Sequence, residues 1–222
     1  MPEADLSTPA TPEAAEAAEA ATPARKRPKP GERRVQILQA LAMMLEQPGA
    51  ERITTAALAA KLEVSEAALY RHFASKAQMF EGLIEFIEQS VFTLVNQIQE
   101  REGPGNGAAD SGSRQAARIA TMLVQFAEKN PGMTRVMVGD ALVYENERLQ
   151  QRMNQFFDKI ESTFKQCLRG EVDEASATPT LDAQVRASML TAFVVGRLQR
   201  FARSGFRRSP SEHLEASLAL ML

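Results

Sequence analysis

The amino-acid sequence predicts an all-α fold, in which an N-terminal helix-turn-helix domain of three helices joins a C-terminal helical dimerisation domain. Three observations support this prediction. Strong helix formers dominate the 222 residues, and apolar residues make up 44% of them although aromatic residues account for only 6%. Apolar positions recur at helical spacing from about residue 31 onward. Between residues 54 and 73, two short helical segments flank a tight turn.

The first 30 residues are expected to form a disordered tail. They are mainly Ala, Glu, Pro and Thr, with too few large apolar side chains to offset the entropy of ordering. Residues 1–24 hold five acidic and no basic residues, whereas residues 25–34 hold six basic residues and one acidic residue. This basic end could bind phosphates or could be a solvated linker, and its position before a helix-turn-helix favours DNA contact. The predicted domains are 1–30 (tail with a basic end), 31–75 (helix-turn-helix) and 76–222 (helical dimerisation and regulatory domain).

Turn and cap residues divide the N-terminal half into four helices. A Pro-Gly pair stops the first helix, and Ser65 is a good N-cap for the third. Glu63 lies in the turn before it, where a left-handed backbone favours Gly, so Glu63 is expected to cost on the order of 1 kcal/mol. Ser75 and Gln78 predict a capping box at the start of the fourth helix. The expected ranges are 31–46, 54–62, 65–73 and 75 to about 98, followed by a Gly-rich connector near residue 105.

Five further helices are expected in the C-terminal half, where apolar residues again follow the helical period. Ser209 is expected to cap the last helix, with Pro210 at its first position and Glu212 three residues after the cap. Gly196 lies inside a helix and would let a helix of a second subunit approach closely, as in a homodimer that reads a palindromic site. The expected ranges are 113–129, 133–143, 145–169, 181–204 and a last helix from residue 209.

The third helix is the predicted recognition helix. Leu69 and Phe73 are four residues apart, so they share one face that packs on the preceding helix. The opposite face then presents hydroxyl groups, an imidazole and cations that can bond phosphate oxygens, and small residues that allow close approach to base edges. An ordinary helical hairpin with a polar face is the alternative. The predicted DNA-binding residues are Arg33, Thr54, Thr55, Ser65, Glu66, Ala67, Tyr70, Arg71, His72 and Lys76.

Several short motifs resemble the TetR family of DNA-binding regulators: 53–55, 64–65, 69–73 and 75–76. The segments 65–73, 83–88, 129–135 and 148–155 are similar to one branch of it, the nucleoid-occlusion factors that inhibit bacterial cell division. The resemblance covers roughly residues 32–205. It implies a homodimer that binds palindromic sites on double-stranded chromosomal DNA and, while bound, engages the division GTPase FtsZ. That contact would block assembly of the FtsZ ring over the nucleoid.

The same resemblance implies a partner surface on the fourth and fifth helices. Phe80, Leu83, Phe86 and Ile87 cannot all face one core, so an apolar residue left outward could anchor the tail of a partner in a groove. The alternative is that neighbouring helices or the dimer cover all of them. The predicted partner-binding residues are Phe80, Leu83, Ile87, Lys129 and Asn130.

The leading competing hypothesis is a TetR-like transcriptional repressor that an apolar ligand releases from DNA, because the fifth, seventh and eighth helices hold enough Phe and Met to line a pocket. An enzyme is the weakest hypothesis: the two histidines, His72 and His213, lie far apart, and no zinc-ligand spacing, catalytic triad or dinucleotide fingerprint appears. No catalytic residue, metal or cofactor is expected. A single cysteine and the lack of a membrane-length apolar run favour a cytoplasmic, nucleoid-associated protein without membrane contact.

Overall fold

A computed structural model describes residues 31–47, 53–101, 111–169 and 179–222. The predicted disordered tail and basic end up to residue 30, the Pro-Gly stop and the Gly-rich connector lie outside the described residues. Within those residues the chain is helical and contains no strand, which confirms the all-α prediction. The helices are α1 (Glu32–Leu45), α2 (Thr55–Lys61), α3 (Glu66–Tyr70), α4 (Lys76–Arg101), α5 (Ser111–Lys129), α6 (Pro131–Met137), α7 (Glu147–Leu168), α8 (Pro179–Arg203) and α9 (Leu214–Met221), with a 3-10 turn at Asp140–Leu142.

Each helix of the helix-turn-helix begins at a side-chain cap. The hydroxyl oxygen of Thr54 accepts a hydrogen bond from the amide of Ala57 at 3.2 Å, and that of Ser65 accepts one from Ala68 at 3.3 Å. Between them Glu63 adopts a left-handed conformation with φ 53°, as the turn required. Helix α3 ends at Tyr70, earlier than expected, and its C-cap is Arg71.

One hydrophobic core runs from α1 to α9, so residue 75 does not separate two cores. The first turns of α4 pack on α1: a Cβ added to Gly82 would lie 3.1 Å from the Phe73 ring and 3.3 Å from Leu38. Helix α6 lies still closer to α1, since a Cβ on Gly132 would lie 1.9 Å from the carbonyl oxygen of Ala42. The backbones of α1 and α6 therefore touch, and the DNA-binding domain is fixed directly to the C-terminal domain.

Charged side chains also tie α4 to α7. A row of ion pairs joins α4 to α7 and to the segment just before α7, and its members are partly shielded from solvent, except for Arg148. Partial burial reduces screening by salt, so these pairs should hold the two helices in register more firmly than fully exposed pairs would. The pairs are Lys76–Glu145, Arg148–Glu81 at 2.7 Å and Arg152–Glu88 at 2.7 Å.

The start of α9 differs from the prediction. Ser209 does not cap a helix: its hydroxyl donates to the carboxylate of Glu128 in α5, and its oxygen accepts from the amide of Ser211 in the turn before α9. Helix α9 begins at Leu214, after His213 in a left-handed conformation. Because Ser211 also donates to Glu128, at 2.8 Å, this segment is fixed on α5 by tertiary hydrogen bonds and does not form the first turn of a helix.

Arg197 of α8 holds the connection to α9 in place. Its guanidinium donates to the carbonyl oxygens of Pro210 at 2.9 Å and Glu212 at 2.7 Å, and to the hydroxyl of Ser217 at 2.9 Å. Burial lowers the pKa of Arg197, and Arg200 lowers that pKa further, while Glu212 opposes both effects. Among the described helices, none combines the length and the apolar character that a membrane span requires.

Candidate nucleic-acid interface

Helix α3 presents the face that the sequence predicted. Leu69 and Phe73 are each 1% exposed and pack into the core, whereas Tyr70 is 45% exposed. The remaining predicted contacts on and after this helix also lie at the surface. The exposed positions are Ser65, Glu66, Ala67, Tyr70, Arg71 and His72.

The two capping hydroxyl groups remain suitable for phosphate contact. Thr54 and Ser65 use their oxygens as acceptors in the caps, so each hydroxyl still has its own proton to donate. Both lie at helix N-termini, where backbone amides and the helix dipole favour an anion. These two positions are therefore well placed to fix the protein on the DNA backbone.

Thr55 and Glu66 do not act as two independent contacts. The hydroxyl of Thr55 donates to the carboxylate of Glu66 at 2.6 Å, which joins the first residue of α2 to the first residue of α3. A hydroxyl has only one proton, so Thr55 cannot donate to a phosphate while this bond is present. Thr55 and Glu66, both predicted to contact DNA, are therefore bonded to each other in this structure.

Arg34 has a role that sequence reasoning did not find. Its guanidinium donates to the carbonyl oxygen of His72 at 3.1 Å, and its central carbon lies 4.2 Å from the centroid of the Phe73 ring. The neighbouring Arg33 instead bonds Gln36 within α1 at 2.9 Å. Because Arg34 and His72 are 38 residues apart, no local pattern signals their contact.

Lys76 is not a free cation at the DNA-binding face. Its ammonium group forms an ion pair with Glu145 from the segment before α7, and lies 5.7 Å from the centroid of the Phe80 ring. The prediction of Lys76 as a simple phosphate contact did not consider this acidic neighbour, which lies 69 residues away in the chain. A phosphate would have to compete with Glu145 for the ammonium group.

We expect Tyr70→Phe and His72→Ala each to weaken DNA binding about tenfold, because each removes a polar group that can bond a phosphate oxygen. The loss should be similar for the duplex that the wild-type protein selects from a randomised library (the selected duplex) and for poly(dI–dC). Fluorescence anisotropy measures both affinities, and thermal unfolding confirms that the variants fold. Unchanged affinity at moderate salt would show that α3 docks by a different face.

The predicted partner surface on α4 needs correction. Phe80 is 1% exposed and Leu83 and Ile87 are 0% exposed, so the prediction that they bind a partner directly is wrong. They follow the core-facing stripe of α4, which α1, α5, α6 and α7 cover. The residue that this packing leaves outward is Phe86, which is 45% exposed, with Leu94 two turns further on at 36%.

The other two predicted partner residues lie at the end of α5. Lys129 is exposed, whereas Asn130 is half-buried and its amide donates to the carbonyl oxygen of Phe126 at 2.7 Å. The contacts of Gly82 and Gly132 place the start of α4 and the end of α5 against the same helix, α1. Helices α4 and α5 also contact each other and therefore run antiparallel, so Lys129 lies toward the N-terminal half of α4, the half that contains Phe86.

Two family models match the chain. The model of bacterial regulatory proteins of the tetR family matches residues 37–83, and the SlmA-like model of the tetracyclin repressor-like C-terminal domain matches residues 114–222. Solved structures with the same fold include FadR of Bacillus subtilis in complex with stearoyl-CoA, with a TM-score of 0.64 and 14% identity over 84% of this chain and 96% of that one. A TetR-family regulator from Bordetella parapertussis has a TM-score of 0.63 and 18% identity, covering 85% of this chain and 93% of that one.

Relatives with curated functions are much more similar in sequence. The nucleoid occlusion factor SlmA of Aliivibrio fischeri is 50% identical over 196 residues, which are 87% of this chain and 96% of the relative. SlmA of Idiomarina loihiensis is 49% identical over 189 residues, covering 85% and 93% of the two chains. SlmA of Vibrio vulnificus is 47% identical over 194 residues, covering 87% and 95%. The chain therefore belongs to the TetR family of DNA-binding regulators and, within it, to the SlmA group of nucleoid occlusion factors.

Proposed function

We propose that this protein, bound as a homodimer to palindromic chromosomal sites, inhibits assembly of the FtsZ ring and so blocks division over the nucleoid. The observation that carries the proposal is an apolar ring, Phe86, left exposed in the N-terminal half of α4, the half toward which α5 ends at Lys129. An acidic, partly apolar tail of FtsZ could place an apolar side chain on Phe86 and a carboxylate near Lys129. The first turns of α4 and the start of α6, directly after α5, pack on α1 of the DNA-binding domain, so DNA and FtsZ could be held together.

The homodimer is supported by an apolar stripe on α8. Leu181, Val185 and Met189 are 58%, 48% and 57% exposed, and they recur every four residues along one face. Ala192 and Gly196 continue the stripe, and the space beside Gly196 is open, since a Cβ there would meet no atom within 4 Å. Exposed apolar stripes of this kind mark association surfaces, and a small residue permits close helix approach.

We expect Met189→Glu to convert the protein to a monomer, because it places a charge in the centre of this stripe. Sedimentation equilibrium measures the mass, and the selected duplex should bind the variant much more weakly because each half-site would then be contacted separately. Leu94→Glu on α4, an exposed apolar position outside α8, is the matched control and should remain a dimer. A dimeric Met189→Glu variant would place the subunit contact elsewhere.

The FtsZ contact can be tested with Phe86→Ala combined with Lys129→Glu. Both side chains are exposed, so the double variant should fold, and it should bind the selected duplex within a few-fold of wild type. Sedimentation of FtsZ polymers with GTP, with and without that duplex, should show that inhibition is lost. Met43→Ala, which removes another exposed apolar side chain from α1, is the matched control and should inhibit normally. Full inhibition by the double variant would exclude this surface.

The competing hypothesis of a ligand-released repressor depends on Phe and Met side chains that line a cavity. In the structure these rings contact one another: Phe156 lies 5.7 Å from Phe92 and 5.0 Å from Phe157, both in edge-to-face geometry. Phe156 and Phe164 are 0% exposed. Rings that fill the space between helices in this way are typical of a packed core, which favours the division-inhibitor proposal.

A further inference from the structure

We propose that Arg34 and the Thr55–Glu66 pair are positioning residues, which fix the recognition helix and thereby set sequence specificity without contacting bases. This inference rests on the DNA-binding role of α3. That helix contains only five residues, Glu66–Tyr70. Isolated helices this short are unstable, so contacts with the rest of the domain must hold its axis.

Arg34 holds the C-terminal end of α3. Its guanidinium bonds the carbonyl oxygen of His72, directly after the C-cap Arg71, where the helix dipole presents partial negative charge. It also stacks on Phe73, the buried ring that anchors this end to the core. The planar fork of an arginine can make both contacts at once, whereas a lysine ammonium cannot reproduce that geometry.

The Thr55–Glu66 pair holds the N-terminal end. Thr55 is the first residue of α2 and Glu66 is the first residue of α3, so their 2.6 Å hydrogen bond links the starts of the two helices. A carboxylate in the first turn also interacts favourably with the dipole of α3. Together with Arg34, this pair fixes both ends of α3, and so its angle relative to α1 and α2.

Specific and nonspecific binding should depend differently on this angle. Hydrogen bonds to base edges need accurate placement, whereas attraction to phosphates tolerates small displacements. A loosened α3 that keeps its charges should therefore lose affinity for the selected duplex and keep its affinity for poly(dI–dC). A residue that contacts phosphate would instead affect both duplexes and the salt dependence.

Arg34→Lys distinguishes a positioning residue from a phosphate contact, because it preserves the charge but not the geometry of the guanidinium. We expect affinity for the selected duplex to fall at least tenfold, affinity for poly(dI–dC) to stay within twofold, and the salt slope to be unchanged. Arg135→Lys is the matched control, since it alters a guanidinium 5.2 Å from the Phe206 ring in the C-terminal domain, and should change neither affinity. If Arg34→Lys binds like wild type while Arg34→Gln weakens both duplexes and reduces the slope by about 0.9, Arg34 is a phosphate contact and the proposal is overturned.

The Thr55–Glu66 pair is tested by a double-mutant cycle on the same two duplexes. Thr55→Val and Glu66→Ala should each reduce the ratio of specific to nonspecific affinity, and the double variant should lose no more than either single variant. Thr55→Ser keeps the hydroxyl donor and Glu66→Gln keeps an acceptor, so both should retain the ratio. Effects that multiply in the double variant would show that the residues act on DNA separately, and loss of the ratio in Thr55→Ser would show that the hydrogen bond of Thr55 does not set specificity; either result overturns the proposal for this pair. Thermal unfolding, run on every variant, confirms that the comparison is made between folded proteins.

Discussion

Gly132→Ala should destabilise the protein by about 3 kcal/mol or more, the largest effect we expect from so small a change. The added Cβ would lie 1.9 Å from the carbonyl oxygen of Ala42 and 2.8 Å from its carbonyl carbon. These are backbone atoms, so no side-chain rotation relieves the clash and α1 must move away from α6. Differential scanning calorimetry should show a melting temperature lower by roughly 6–12 °C.

Gly82→Ala is the matched comparison, because Gly82 is also a buried glycine in a helix that packs on α1. Its Cβ would meet only side-chain atoms, 3.1 Å away in Phe73 and 3.3 Å away in Leu38, which can shift by a few tenths of an ångström. The gain in helix propensity, about 1 kcal/mol, should offset much of that crowding. Equal stability losses in the two variants would mean that α1 and α6 are not in backbone contact.

Phe80→Ala should lower the free energy of unfolding by about 3–5 kcal/mol, since it removes a fully buried ring from the core-facing side of α4 and leaves a cavity. The ring is 1% exposed and also lies beside the Lys76 ammonium group. We expect DNA binding and inhibition of FtsZ to be lost together as the variant unfolds at lower temperature.

Phe86→Ala, the control on the same helix, removes a ring of the same size that is 45% exposed. It should leave the melting temperature nearly unchanged and affect only the proposed FtsZ contact. The pair thus distinguishes loss of fold from loss of a binding surface. A stable Phe80→Ala variant that binds DNA but does not inhibit FtsZ would contradict the burial of Phe80 and restore the original partner prediction.

Local signals in the sequence predicted much of the fold. Thr54 and Ser65 cap their helices with hydrogen bonds to backbone amides three residues ahead, so short segments contain the information needed to place α2 and α3. At the start of α4, the amide of Gln78 donates to the Ser75 hydroxyl as expected, but the side-chain oxygen of Gln78 accepts from the amide of Ala74 and not from that of Ser75. The unfavourable left-handed conformation of Glu63 was also predicted, because Glu63 lies in the turn of the helix-turn-helix, where such a backbone is common.

The parts of the site that the sequence did not predict depend on residues distant in the chain. Periodicity showed that α4 has too many apolar residues for one face, but which ring lies outward is decided by the helices packed around it. Those helices cover Phe80 and leave Phe86 exposed. Similarly, Glu145 engages Lys76, and Arg34 reaches the end of α3, through contacts that no local spacing encodes.

The direct backbone contact between α1 and α6 has a consequence for the DNA that this protein can occupy. A recognition helix that is fixed to the C-terminal domain cannot swing on a linker to reach half-sites at different separations. In a dimer joined through α8, the distance between the two α3 helices would then be a constant of the folded protein. One base pair inserted between the half-sites would also rotate one half-site relative to the other by about a tenth of a helical turn. A duplex with this insertion would have to untwist or bend to be bound, and the energy of that deformation would lower its affinity for the protein.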